Sequence, residues 1–251
     1  MNPVKVTQRR ATVCHAARVS ARVISLLDRP TYTYPQVDRL LGLTKGTAQR
    51  WLNGYRNGGK RYDPVLRRER IDTRWATWGE FVETRLLANY RDEDDIPVQR
   101  MRRAIEVLRE EIDADYPLAR GFLYLEPKGR ELLLKAQAIA DMPEQFAMLT
   151  RTGQIQLAPW VYEIVESADT DDNPLRDVVR LRVAPEFPDL HWDPRKRGGQ
   201  PTVGDSNVLA TTVAEFVIAG EPAGEVASWY HLTEEQVDQA VRYRHSHSPA
   251  A

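Results

Sequence analysis

Residues 34–53, YPQVDRLLGLTKGTAQRWLN, decide how the rest of the chain is read. Val37, Leu40 and Leu41 fall on one side of a helix that Pro35 can open, because its missing N–H costs nothing in a first turn. Gly42 stands where a left-handed residue ends a helix cheaply, and Leu43 can plug the corner behind it. Thr44 is placed to cap a second helix through its hydroxyl. In that helix Ala48, Trp51 and Leu52 share the inward face. Gly46, Arg50 and Asn53 point outward, with Thr47 and Gln49 on the flanks. Such a helix-turn-helix, with a small and polar outer face, suits docking into the major groove of DNA. An ordinary helical hairpin packed on a core is the alternative reading of the same pattern.

Charge favours the first reading. Residues 1–74 hold sixteen Lys and Arg against five Asp and Glu, whereas residues 75–251 hold nineteen against thirty-one. The formal net charge of −1 therefore conceals a basic N-terminal part and an acidic remainder. A basic module around a helix-turn-helix is the footprint of a phosphate-backbone binder. Thr44, Lys45, Thr47, Gln49, Arg50 and Asn53 are the expected DNA-contacting residues of the corner and second helix. Lys60 and Arg61 join them from the loop GYRNGGKRYDPVLRRER, where Gly54, Gly58 and Gly59 permit tight turning and the chain can form a wing. Tyr62 and Pro64 can pack that loop onto Trp51. The basic residues Arg9, Arg10, Arg18 and Arg22 lie in a tail or a phosphate-following arm.

Several function classes are excluded. A single cysteine, Cys14, forms no intramolecular disulfide and no zinc finger built on cysteine pairs. No apolar run approaches a membrane span and there is no signal-peptide core, so the chain is expected to be cytoplasmic and off the membrane. The five histidines lack metal-ligand spacing, and His245 and His247 sit in a C-terminal tail. The acidic runs at 92–95 and 169–172 read as solvated loops, and Gly58-Gly59 and Gly198-Gly199 lack the strand-to-helix setting of a phosphate loop. No catalytic residue, metal site or cofactor is expected; the chain does not read as an enzyme.

Further along, Trp78, Phe81, Val82, Leu86 and Tyr90 give a broad apolar face, and the acidic loop Asp92–Asp95 breaks the pattern. Val98, Met101, Ile105, Leu108 and Ile112 then recur at helical spacing, with Arg100, Arg102, Arg103, Glu106, Arg109 and Glu110 outward. That face reads as solvated, with ordinary ion pairs, or as a second surface for DNA. From Gly121 the period changes. FLYLE (122–126) and ELLLK (131–135) flank PKGR as a hairpin, and Phe146–Thr150 and Gln154–Leu157 flank another turn. A helix over Pro159–Ser167 and a strand over Val178–Val183 complete a small antiparallel sheet section, whose edges suit dimerisation or a partner. Pro185, Pro188 and Pro194 lead into three short helices, the last opened by a Thr233-x-x-Gln236 capping box. The expected fold class is α+β, mainly α.

The last unit, with WDP, GGQPTVG, AGEPAGEVASWY and LTEEQVDQAVRY, resembles the small trihelical domain of many bacterial antitoxins that pair with PIN-domain ribonuclease toxins. YTYPQVDRLLGLTKGTAQRWLNGY resembles the N-terminal helix-turn-helix of the longer members, and VQRMRRAIEVLREEIDADYPLA resembles their MerR-like segment. The ordered set, over roughly residues 23–245, is similar to a VapB-type antitoxin of mycobacterial style. The chain departs from it at Gly204-Asp205-Ser206-Asn207, where such antitoxins commonly carry Gly-Thr-Arg, and in the extension before about Val23. The chain is expected to have four parts: a basic helix-turn-helix module (1–74), a MerR-like helical segment (75–120), a small β-rich section (121–184) and the trihelical, antitoxin-like domain (185–251). The resemblance implies a homodimer that silences a cognate toxin ribonuclease encoded by an adjacent gene and binds operator DNA to regulate its own operon. A guanidinium placed among the carboxylates of the toxin's metal site would block it, and Arg242 and Arg244 are candidates; a solvated helix end is the other reading of that pair. A stand-alone MerR-like regulator, with a C-terminal half for dimerisation or ligand sensing, is the alternative function.

Overall fold

The computed structural model describes residues 25–93, 98–142 and 146–247. The expectations for the N-terminal tail therefore lie outside the described residues. The fold is α+β and mainly α. Strand β1 (Pro30–Thr33) leads into α1 (Tyr34–Leu40), and α2 (Thr47–Asn53) follows the corner. Next come a hairpin of β2 (Tyr55–Asn57) and β3 (Lys60–Tyr62), and β4 (Trp75–Thr77), which returns to pair antiparallel with β1. Helices α3 (Trp78–Glu93) and α4 (Val98–Ile112) carry the apolar faces foreseen from their spacing. Phe81, Val82 and Leu86 are buried on the first, as are Met101, Ile105 and Leu108 on the second. Helix α3 runs through Asp92 and Glu93, which the sequence assigns to a loop; residues 94–97 lie outside the described residues.

The stretch 122–135 corrects the sequence reading. It is not a hairpin but a short helix α5 (Phe122–Leu125) and a longer α6 (Pro127–Ile139). Pro127 occupies the first turn of α6, where its missing N–H is no loss. Gly129 brings α6 so close to α5 that a Cβ there would collide with the Phe122 carbonyl. The second hairpin is present as β5 (Ala147–Leu149) and β6 (Ile155–Leu157), followed by α7 (Pro159–Ser167). A four-stranded antiparallel sheet, in the order β10-β9-β8-β7, is built from β7 (Ala168–Thr170), β8 (Val178–Arg182), β9 (Leu190–Trp192) and β10 (Thr202–Val203). Three helices close the chain: α8 (Ala210–Ile218), α9 (Ala223–Tyr230) and α10 (Glu234–Ser246). The Thr233 capping box holds as expected, with Gln236 N donating to Thr233 Oγ1 and Thr233 N to Gln236 Oε1.

One aromatic cluster joins the two ends. Phe81 on α3 packs against Tyr32, Trp78 and Trp192, with ring centroids 4.4, 5.4 and 5.2 Å away. Each polar tip in that cluster that bonds does so across the chain: Tyr32 Oη donates to the Gly199 carbonyl at 2.6 Å, and Trp78 Nε1 to the Val178 carbonyl at 2.7 Å. Buried tyrosine and tryptophan tips usually find such partners; Trp192 Nε1 meets none among the described groups.

Candidate nucleic-acid interface

The corner forms for the reasons its sequence gives. Gly42 is left-handed (φ 63°), and Leu43 N then donates back to the Asp38 carbonyl at 2.7 Å. That is the hydrogen-bond pattern that closes a helix on a glycine. The cap of α2 differs from expectation. The N-cap residue is Gly46 (φ 82°), not Thr44, and no side chain at the cap serves α2. The Asp38 carboxylate does so from α1, accepting from Gly46 N (2.7 Å) and Ala48 N (2.8 Å). Asp38 is 5 % exposed, so an anion at the positive end of α2 is held out of water and ties the two helices together.

Behind α2 sits a second lock. Arg67, buried, directs Nε and Nη2 to the two carboxylate oxygens of Glu80. Its Nη1 donates to Tyr34 Oη and Asn53 Oδ1, and its Nη2 also to the Trp75 carbonyl. One guanidinium therefore fixes the start of α1, the end of α2, β4 and α3. Asn53 is consequently turned inward, where its Nδ2 donates to Tyr34 Oη; this corrects the expectation that it points outward. Thr47 is also buried, and its Oγ1 accepts from Arg50 Nη2 at 2.8 Å.

What remains outward is cationic and polar. Thr44, Lys45, Gln49 and Arg50 are exposed along the corner and α2, with Ala48, Trp51 and Leu52 buried beneath them. The β2–β3 hairpin stands beside α2 as a wing, and Arg56, Lys60 and Arg61 on it are exposed. Tyr55 and Tyr62 stack across the hairpin at 4.6 Å and stiffen it, so Tyr62 packs on Tyr55. Gly58 and Gly59 are both left-handed, as a two-residue hairpin turn demands. A cleft between α2 and the wing gathers Arg56, Arg61 and Arg70.

The outer face expected on α4 is only partly solvated. Arg102 pairs with Glu106 at 2.8 Å but also donates to the Pro64 carbonyl, and buried Arg109 reaches the carbonyls of Leu66 and Asp115. These arginines support the loop behind the wing. Arg242 pairs with Asp238 one turn earlier at 2.7 Å, and Arg244 lines a cleft with Arg39, Glu215 and His247. Among the described residues no group of His, Cys, Asp and Glu is arranged to hold a metal, and no helix is long and apolar enough to cross a membrane.

The C-terminal helices repeat the geometry of the first corner, which the sequence reading missed. His231 is left-handed (φ 55°) like Gly42, and Leu232 N donates to the Ala227 carbonyl at 2.9 Å as Leu43 does to Asp38. The shared Leu-Thr after a left-handed residue, at 43–44 and 232–233, was the available signal. The chemistry is opposite: α10 opens on Glu234, Glu235 and Asp238.

A helix-turn-helix with a β-hairpin wing is thus the class that the N-terminal site defines. Residues 191–243, with β9 and the three C-terminal helices, match the family described as "Protein of unknown function (DUF433)". Over 228 residues the chain is 40% identical to "Uncharacterized protein Rv2308" of Mycobacterium tuberculosis (strain ATCC 25618 / H37Rv), covering 90% of this chain and 94% of that protein. The chain belongs to the same family as Rv2308. The X-ray crystal structure of Rv2018 from Mycobacterium tuberculosis shares the fold, with a TM-score of 0.68 at 22% identity over 86% of this chain and all of that one.

Proposed function

We infer that the chain is a DNA-binding autoregulator of antitoxin type. Its N-terminal module grips operator DNA and its C-terminal half engages a cognate PIN-domain toxin. The observation that carries the DNA part is the exposure of Lys45, Gln49 and Arg50 along the corner and α2, beside a hairpin that carries exposed Arg56, Lys60 and Arg61, on elements fixed from behind by Asp38 and Arg67. Rigid positioning of a few polar side chains over a cationic surface is what groove reading needs. Arg50 is the candidate for base edges, and the wing cations are candidates for phosphates. The toxin part rests on the resemblance alone, with Arg242 and Arg244 as its candidate contacts.

Two measurements test this. Binding of the full chain to its own upstream DNA should be salt-sensitive and tighter than to a scrambled fragment. Co-purification with the product of the adjacent gene, followed by an RNA-cleavage assay, should give a stable complex without cleavage. DNA binding without a complex would leave the stand-alone regulator. No DNA binding would reduce the corner to a scaffold.

A further inference from the structure

The C-terminal helices leave one face bare. Phe216 near the end of α8 and Trp229 on α9 are 38 % and 49 % exposed. Phe216 meets Trp229 edge-on at 5.6 Å and Tyr230 at 6.1 Å, so the rings form one patch. An apolar patch of this kind with a polar rim marks a binding surface. Here the rim is acidic. Glu221 follows Gly220, and Glu225 lies one helical turn before Trp229; both are exposed. Glu234 adds its carboxylate beside Gly224, 3.1 Å from where a Cβ would stand.

The charge selects the occupant. DNA is repelled by this rim. A second copy presenting the same face would bring two acidic rims together, at a cost. The occupant must be cationic with small apolar side chains. We propose that this face holds the chain's own N-terminal segment, residues 1–24. That segment lies outside the described residues and carries Lys5, Arg9, Arg10, Arg18 and Arg22 with no Asp or Glu. Val4, Val6, Val13 and Val19 are interspersed to meet the rings. Reach is no obstacle: an extended chain spans roughly 3.3 Å per residue, against a radius of gyration of about 18 Å for a domain of this size. The tether also supplies a local concentration on the order of millimolar, so weak contacts suffice. A segment held there is withheld from phosphates, so DNA competes for it.

Cys14 is the only cysteine in the chain, which allows the test to be made on the full-length protein. A benzophenone maleimide attached at Cys14 is photoactivated and its cross-links are mapped by mass spectrometry. The expected products are intrachain and fall on residues 216–229. They drop several-fold in high salt and in the E221K/E225K variant, whose changes are at exposed positions. Moving the probe to position 5 (K5C in a C14S background) must report the same face. Products elsewhere in the chain, products between two copies, or products indifferent to charge reversal would each overturn the proposal.

Discussion

Arg67 and Glu80 form a two-pronged ion pair, Nε to Oε1 at 2.5 Å and Nη2 to Oε2 at 2.8 Å, in which both side chains are only 5 % exposed. Removing one member leaves a buried charge alone, which costs about 3–5 kcal/mol. R67A should therefore lower the urea midpoint sharply without changing its slope. E80Q keeps the shape but leaves the buried Arg67 charge unneutralised and turns an NH2 toward one of its N–H groups, so it should cost a similar amount. Because Arg67 also holds Asn53, R67A protein that still folds should bind DNA more weakly although Arg67 is not at the surface.

Asp38 makes a separable prediction. Its carboxylate accepts two N–H groups at the start of α2, so D38A should cost about 1–2 kcal/mol of stability, the scale of a lost helix cap. T44A should cost little, since Thr44 is exposed and does not cap α2. Thermal denaturation of the two variants side by side distinguishes these assignments.

On the DNA side, R50A should weaken binding to the upstream fragment by about 1–3 kcal/mol and relax its sequence preference. K60A should weaken binding evenly across sequences and lower the salt slope by about 1. Fluorescence anisotropy over a salt series, with specific and scrambled duplexes, reads both effects. Equal behaviour of the two variants would remove the distinction between a reading helix and a backbone-gripping wing.

Glu83 predicts a pH dependence. It is fully buried on α3; one oxygen accepts from Leu118 N at 3.1 Å, and the other meets no donor among the described groups. Burial pushes its carboxyl up to about 8, against the opposing pull of Arg109. The folded protein thus keeps a proton that the unfolded chain releases near pH 4.5. Stability from this group is full below that value, declines as pH rises from about 4.5 to about 8, and is flat above. The steepest slope is about 1.4 kcal/mol per pH unit. E83Q should flatten the decline, and denaturant titrations at pH 5, 7 and 9 would show it.

Gly129 checks the corrected stretch. In an ordinary helix Gly to Ala gains up to about 1 kcal/mol. Here the added methyl meets the Phe122 carbonyl, so G129A should destabilise instead. A turn glycine of a hairpin, as the sequence suggested, would carry no such contact with α5.

Those residues show what the sequence makes legible. The first corner was readable because its signals are local: Pro35, Gly42, Leu43 and the spacing of Ala48, Trp51 and Leu52 all act within a few residues. The Thr233 box was readable for the same reason. FLYLE and ELLLK read as strands because a short apolar run does not distinguish a strand from a buried helix turn, and Pro127 is equally at home in a turn or at a helix start. The role of Asp38 was hidden because the cap comes from the preceding helix. Arg109 and Asn53 were placed outward because helical spacing ignores a long side chain's reach to a carbonyl 43 residues away, or an inward pull from Arg67. The exposed cations needed only the charge count; the inward ones needed tertiary structure.

The bond from Tyr32 to Gly199 spans 167 residues. On the ribosome, at roughly 5–20 residues per second, β1 is therefore in solution for on the order of ten seconds before its acceptor is made. The helix-turn-helix end is synthesised first, yet part of its foundation is delivered last. A nascent chain, or one cut short before Gly199, would carry the corner on an unfinished foundation.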